Sequence, residues 1–319
     1  MAKSPDTMSL RVTRLTWEAD GVVGLTLSEP GGVVLPAWEP GAHVDMRLPS
    51  GLTRQYSLCG DPRDRHRYTI AVRLEANSRG GSAEIHGTPL IGRQLVVTAV
   101  RNRFALVEAP EYLLIAGGIG ITPLLPMAVA LADRHARWSA VYCGRGAHTM
   151  AFRDGLTALG AHRVRFVDTT TEPRPDLKEV IARLGPGGAV YCCGPASLID
   201  SVSEICQADG IRCETEHFGA ATPQPGDRDG DDIVDLELRQ SGLSITVGPE
   251  ATLLQAIRDA GVEIASDCEE GYCGTCETAV LDGVPDHRDV VLSKSEHAAG
   301  RTIMPCVSRA RGGKLVLDL

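Results

Sequence analysis

The chain predicts a multidomain protein: an antiparallel β domain, a parallel α/β domain, and a small α+β domain that carries a cysteine-rich loop. Three observations carry this. Short alternating segments separated by Pro/Gly turns fill residues 1–108. From residue 109 strands and helices alternate, and after a polar, proline-rich stretch at 220–230 come a hairpin, a helix and four spaced cysteines. The domains expected are 1–108, 109–225 (linker included) and 226–319.

In the first domain, segments 10–17, 22–28, 43–48, 68–73 and 94–101 have strand character, and Pro-Gly-Gly, Pro-Gly, Pro-Ser-Gly and Asp-Pro separate several of them. Short strands between turn signals indicate an antiparallel sandwich or barrel. Within it, Arg54-Gln-Tyr-Ser-Leu58 offers a cation, an aromatic face and a hydroxyl on one strand. Asn77-Ser-Arg-Gly-Gly-Ser82 puts small, donor-rich residues where a helix should start, a natural phosphate site. Alone, each is weak: such a strand is commonplace and Gly-Gly-Ser is usually a turn.

In the second domain, residues 112–116 form a continuous apolar strand, followed by Gly117-Gly-Ile-Gly-Ile-Thr-Pro123 and a helical run over 124–132. Further strands are predicted at 138–143, 163–168, 189–193 and 212–217, with helices at 177–184 and from Gly194-Pro195 through Gln207. This alternation implies a parallel sheet covered on both faces. Ligands of such sheets bind beyond the strands' carboxyl ends, where both Gly-rich turns fall. Gly118-x-Gly120-x-x-Pro123 departs from the dinucleotide fingerprint in its last position; a proline starting the helix has the φ that position favours. The glycines let a pyrophosphate approach the helix N-terminus. In isolation this motif is more often a tight strand–helix turn.

In the third domain, Cys268, Cys273 and Cys276 follow the spacing C-x4-C-x2-C, and Cys306 comes after a gap of 29 residues. That is the plant-type spacing for a [2Fe–2S] cluster, whose two irons need four thiolates beside the bridging sulfides. Zinc sites usually show two short C-x-x-C pairs, and only one is present. Disulfides do not suit a chain with no secreted character. Gly271 and Gly274 let the loop backbone pass close to a cluster. Strands at 233–240, 243–247, 278–281 and 314–317 and a helix at 252–260, with Leu253, Leu254 and Ile257 on one face, frame the loop. A cluster of this kind moves single electrons.

Composition is that of an ordinary globular protein, and no apolar run approaches the length of a membrane span. Ten cysteines without a secretory signal point to a reducing compartment, with the cytoplasm expected. The net charge of −9 belongs to one end: residues 1–225 carry 23 basic and 23 acidic side chains, residues 226–319 carry 9 and 18. That end is either a solvated acidic surface or one that steers a basic partner. Nucleic-acid binding is disfavoured by the sign of the charge. Cys59, Cys143, Cys192, Cys206 and Cys213 lack metal spacing and read as inert thiols, and His86 and His217 as structural.

Taken in order, Arg-x-Tyr-Ser-Leu, Gly-Gly-Ser, Gly-Gly-Ile-Gly-Ile-Thr-Pro, Tyr-Cys-Gly-Arg, Cys-Cys-Gly-Pro and Glu-His-Phe-Gly resemble the ferredoxin–NADP reductase superfamily. With the cysteine loop last, the whole chain is similar to the phthalate dioxygenase reductase family. The resemblance implies a Greek-key β-barrel for flavin, an α/β nicotinamide domain and a β-grasp ferredoxin domain. It implies that Arg54, Gly81 and Ser82 hold a flavin phosphate, that Tyr56 and Ser57 lie along the isoalloxazine, and that Ala71 and Val72 lie beneath the ring. Gly118, Gly120, Pro123, Arg145, Gly194 and Pro195 would receive the nucleotide. Thr122 would stand near the flavin's reactive edge, Cys193 near the nicotinamide and Phe218 close to their stack. Cys268, Cys273, Cys276 and Cys306 map onto the four cluster ligands. FMN, NADH and a [2Fe–2S] cluster are the implied cofactors, although Arg145 would also suit NADPH.

The implied activity is that of the reductase component of an aromatic-ring oxygenase or O-demethylase, handing electrons to a Rieske-type terminal oxygenase. A nicotinamide delivers two electrons together and the cluster accepts one; a flavin does both and belongs between them. The alternatives are an FAD-dependent reductase of another monooxygenase and a flavin/cluster redox sensor without turnover. A monomer is expected.

Overall fold

The computed structural model describes residues 7–75, 80–97, 100–218, 232–266, 269, 271, 274–289, 291–292 and 294–319. The chain divides into two compact units, Met1–Phe218 and Gly219–Leu319.

The first unit opens with β1 (Met8–Ala19), β2 (Val22–Ser28), β3 (Ala42–Arg47), β4 (Thr53–Ser57) and β5 (Tyr68–Arg73), then helix α1 (Gly81–Gly87), β6 (Gln94–Val97) and β7 (Arg101–Asn102). These strands make one antiparallel sheet in the order β4-β3-β6-β1-β2-β5, with β7 on β3. β6 enters between β1 and β3, which gives the Greek-key order, and the Cys59 amide past β4 donates to Thr69 O on β5 at 2.8 Å to bring the sheet's ends together. Alternate strand residues (Leu10 and Val12, Leu25 and Leu27, Val44 and Met46, Ile70 and Val72) fill the interior, as the two-residue strand period requires. Of the strand expected at 94–101, β6 and the start of β7 are seen, and residues 98 and 99 lie outside the described residues.

The same unit continues with β8 (Tyr112–Gly117), a 3-10 turn at Gly118–Gly120, α2 (Ile121–Asp133), β9 (Trp138–Gly144), α3 (Arg153–Ala158), β10 (Val164–Asp168), α4 (Leu177–Ala182), β11 (Ala189–Gly194), α5 (Ala196–Asp209) and β12 (Arg212–His217). The five strands are parallel, ordered β10-β9-β8-β11-β12. β8 and β11 are buried throughout. Tyr112, Leu114 and Ala116 pack on the α2 face; Leu113 and Ile115 pack on the face covered by α4 and α5. The order reverses between β8 and β11, so the carboxyl ends of these strands form the switch point where such sheets bind ligands. α2 starts two residues earlier than the expected Pro123. Pro123 still lies in the first turn, whose N–H groups have no helical partner to lose.

The second unit contains β13 (Val234–Leu238), β14 (Leu243–Val247), α6 (Leu253–Asp259), β15 (Thr278–Asp286), α7 (Lys294–Ala299), β16 (Thr302–Ile303) and β17 (Arg309–Leu317), in the sheet order β14-β13-β17-β15-β16. A parallel β13–β17 pair inside an otherwise antiparallel sheet is the β-grasp arrangement. Thr252 Oγ1 accepts the Gln255 amide to cap α6, and Leu253 and Ile257 pack into the core. β15 and β17 both run further than expected. Among the described residues, no helix is long and apolar enough to cross a membrane. The proposed linker at 220–230 lies outside the described residues.

Candidate cofactor sites

On the barrel, β4 carries Arg54, Tyr56 and Ser57. A Cβ on Gly81 would stand 2.9 Å from Arg54 Cγ and 3.2 Å from Nε, so the arginine stem lies directly over the start of α1 and only glycine leaves it room. Ser82 Oγ accepts the Glu75 amide at 3.2 Å, and His86 Nε2 lies 2.9 Å from Val72 O, tying α1 to β5. Arg54, Gly81 and Ser82 therefore converge as a cation beside a glycine/serine turn, a donor set that fits a phosphate. Ala71 and Val72 separate: Val72 points into the barrel core, whereas Ala71 packs with Ala19, Val22, Cys59 and Ala151 on the opposite face.

The two Gly-rich turns meet. A Cβ on Gly120 would fall 2.2 Å from Cys193 O, and one on Gly117 would fall 2.6 Å from Pro195 Cδ. Gly118, at φ 55°, faces Arg73 Nη1 at the end of β5, which places a barrel cation over the nucleotide turn. Arg73 in turn pairs with Glu75. Thr122 is buried, and its hydroxyl donates to Ile119 O at 3.0 Å, so it braces its own turn. Arg145 lies exposed just past β9, on the same carboxyl edge of the sheet. Phe218, 36% exposed, immediately follows β12.

A polar link joins the barrel to the parallel sheet: Ser57 Oγ donates to Glu216 Oε2 at 3.2 Å. Glu216 stands on β12 in register with Cys193 on β11, and His43 Nδ1 is 4.0 Å from its other oxygen. The Glu216 side chain is 15% exposed. Burial drives its pKa from the ordinary 4.5 up to about 8, against a smaller lowering by the Ser57 hydroxyl. Cys193 is fully buried, and burial with the nearby Glu216 holds its thiol well above the usual range, so it stays protonated. Glu216, His43 and Arg73 were not among the expected site residues. Glu216 lies inside the Glu-His-Phe-Gly motif, but only the pairing of β12 with β11 and the approach of β4 give it a role.

In the second unit, Cys276 and Cys306 are buried with their Sγ atoms 3.4 Å apart. That is too far for a disulfide. Two thiolates on one tetrahedral ion with bonds of about 2.3 Å stand about 3.7 Å apart, so the pair suits a shared iron. Leu254, Leu292, Met304 and Val307 enclose them. Cys268 and Cys273, the other two expected ligands, lie outside the described residues.

Residues 236–311 match the 2Fe-2S iron-sulfur cluster binding domain family. The chain is 41% identical over 314 residues to the phenoxybenzoate dioxygenase subunit beta of Ectopseudomonas oleovorans, covering 98% of this chain and 97% of that protein. Among solved structures, phthalate dioxygenase reductase, described as a modular structure for electron transfer from pyridine nucleotides to [2Fe–2S], aligns over 98% of both chains with 36% identity and a TM-score of 0.78. An intact type IV self-sufficient cytochrome P450 monooxygenase aligns at 40% identity and a TM-score of 0.77; there the chain spans 41% of the longer protein.

Proposed function

We propose that this chain, which belongs to the phthalate dioxygenase reductase family, carries electrons from NADH by way of FMN and its [2Fe–2S] cluster to a Rieske-type terminal oxygenase acting on an aromatic substrate. The observation that supports this most is the Ser57–Glu216 hydrogen bond, because it joins the flavin strand to the nicotinamide sheet near the carboxyl end of β12, beside β11. When bound, a flavin converts a two-electron donor into single-electron steps. The chain's own work is positioning. Arg54, Gly81 and Ser82 hold the flavin phosphate, with Tyr56 and Ser57 along the ring; of the strand expected beneath it, Val72 instead fills the barrel core and only Ala71 faces outward from that core. Gly118, Gly120, Pro123, Gly194 and Pro195 receive the nucleotide phosphates and nicotinamide, and Arg145 meets the adenosine half. Cys193, Thr122 and Phe218 border the reacting rings. Ser57 keeps its hydroxyl proton aimed at Glu216, and the protonated carboxyl of Glu216 keeps uncompensated negative charge away from the site at neutral pH. Cys268, Cys273, Cys276 and Cys306 ligate the cluster.

The domains are then 1–108, 109–225 and 226–319, in a monomer working in the cytoplasm. The acidic excess of residues 226–319 favours a basic docking face on the oxygenase. A haem monooxygenase is the second reading for the acceptor, favoured by the P450 that contains a like module. Acid extraction of the purified protein should release FMN, and NADH should bleach flavin and cluster anaerobically at lower concentration than NADPH. An extract containing FAD, or a preference for NADPH, would overturn the corresponding assignment.

A further inference from the structure

A second group of ligand-type side chains stands in the 219–319 unit, apart from the four cysteines. His287 follows β15, Asp289 lies two residues on, and His297 is on α7. Their ligand atoms all fall within 4.8 Å of one another. His287 Nδ1 is 3.5 Å from Asp289 Oδ1, and His297 Nε2 is 3.3 Å from Asp289 Oδ2. The two contacts end on different oxygens of Asp289, so an ion with bonds near 2.05 Å, which spans donors about 3.3 Å apart, would take that carboxylate through both oxygens. The two imidazoles are stacked, centroids 4.4 Å apart at 13°.

A histidine–carboxylate pair accounts for His297, but not for His287. Its side chain is 7% exposed, and neither ring nitrogen makes a hydrogen bond among the described residues. Burying an imidazole with both nitrogens unmatched is costly, and a metal ion on one of them removes that cost. The Asp289 carboxylate is fully buried, and the Leu292 amide (2.9 Å) and Ser308 Oγ (3.4 Å) fix its orientation, as outer hydrogen bonds do for metal-bound carboxylates. An open cleft of about 450 Å³, lined by both histidines and Arg311, borders the group and supplies an entry path.

We propose that His287, Asp289 and His297 form a binding site for a divalent transition-metal ion of the zinc class, separate from the iron–sulfur cluster. Two imidazoles and a carboxylate suit zinc, whereas the thiolate set suits iron. The bound ion braces the segment beside the cluster, because Ser308 follows Cys306 closely and Leu292 packs against Cys276 and Cys306.

The test is equilibrium dialysis of the cluster-loaded full chain against micromolar zinc sulfate, with elemental analysis of zinc and iron. Wild type should hold about one zinc beside about two irons. His297→Gln, at a partly exposed position, and Asp289→Asn should each weaken zinc binding ten- to about a hundredfold with iron unchanged. No zinc above background in wild type, zinc gained only as iron is lost, or equal zinc in wild type and both variants would each overturn the proposal.

Discussion

Glu216 shows at the scale of one residue how burial sets chemistry. Its pKa is raised, so the folded chain holds a proton that the unfolded chain releases. Below pH 4.5 both states are protonated and the group has no effect; from there to about 8 only the unfolded state ionises, so stability falls as pH rises. The loss integrates to on the order of 5 kcal/mol. Glu216→Gln keeps the shape and removes the titration. Its denaturant midpoint, followed on the 1–218 unit, should decline less between pH 5 and 8 than that of wild type; parallel curves would show that Glu216 ionises normally. Arg54, Ser57 and Gly81 were legible in the sequence because short motifs carry them. Glu216, His43 and Arg73 were not, because each gains its role from strands far apart in the chain.

Among the elements, the contact between the two Gly-rich turns does most to shape the nucleotide site. Gly120→Ala would drive a methyl group into Cys193 O and push the turn off β11. Displacements of about 1 Å cost roughly a hundredfold in reactions that depend on alignment, so NADH-dependent flavin bleaching should fall by that order while dithionite still bleaches both chromophores. An unchanged NADH rate would mean that the turns do not align the nucleotide. Strand and helix order was readable over most of 8–218 because apolar runs and turn residues agree; α3 was not, since Arg153–Ala158 is short and buries only Leu156. β15 extends past the predicted 278–281 through Asp282-Gly-Val-Pro-Asp286, whose glycine and proline carry turn rather than strand signal. Antiparallel pairing with Arg309–Leu317, through an irregular register at Gly283, holds it as strand. The His287–Asp289–His297 group had a sequence signal, H-x-D-x7-H, but nothing in that spacing alone separates ligands from an exposed, solvated run.

Across the whole molecule, the chain pairs a unit that accepts two electrons together with a unit that can pass only one. The cysteine spacing named the second unit from the sequence, and the buried Cys276–Cys306 pair fits it. In the proposed relay, electrons enter at the carboxyl edge of the parallel sheet and leave through the cysteine-ligated cluster. The most direct test is steady-state reduction of cytochrome c by NADH in Cys276→Ser beside wild type, with flavin bleaching followed in the same samples. The account predicts that cytochrome c reduction falls at least about tenfold while NADH bleaches the flavin as in wild type. Cytochrome c reduction at the wild-type rate in a variant that has lost its iron would contradict it.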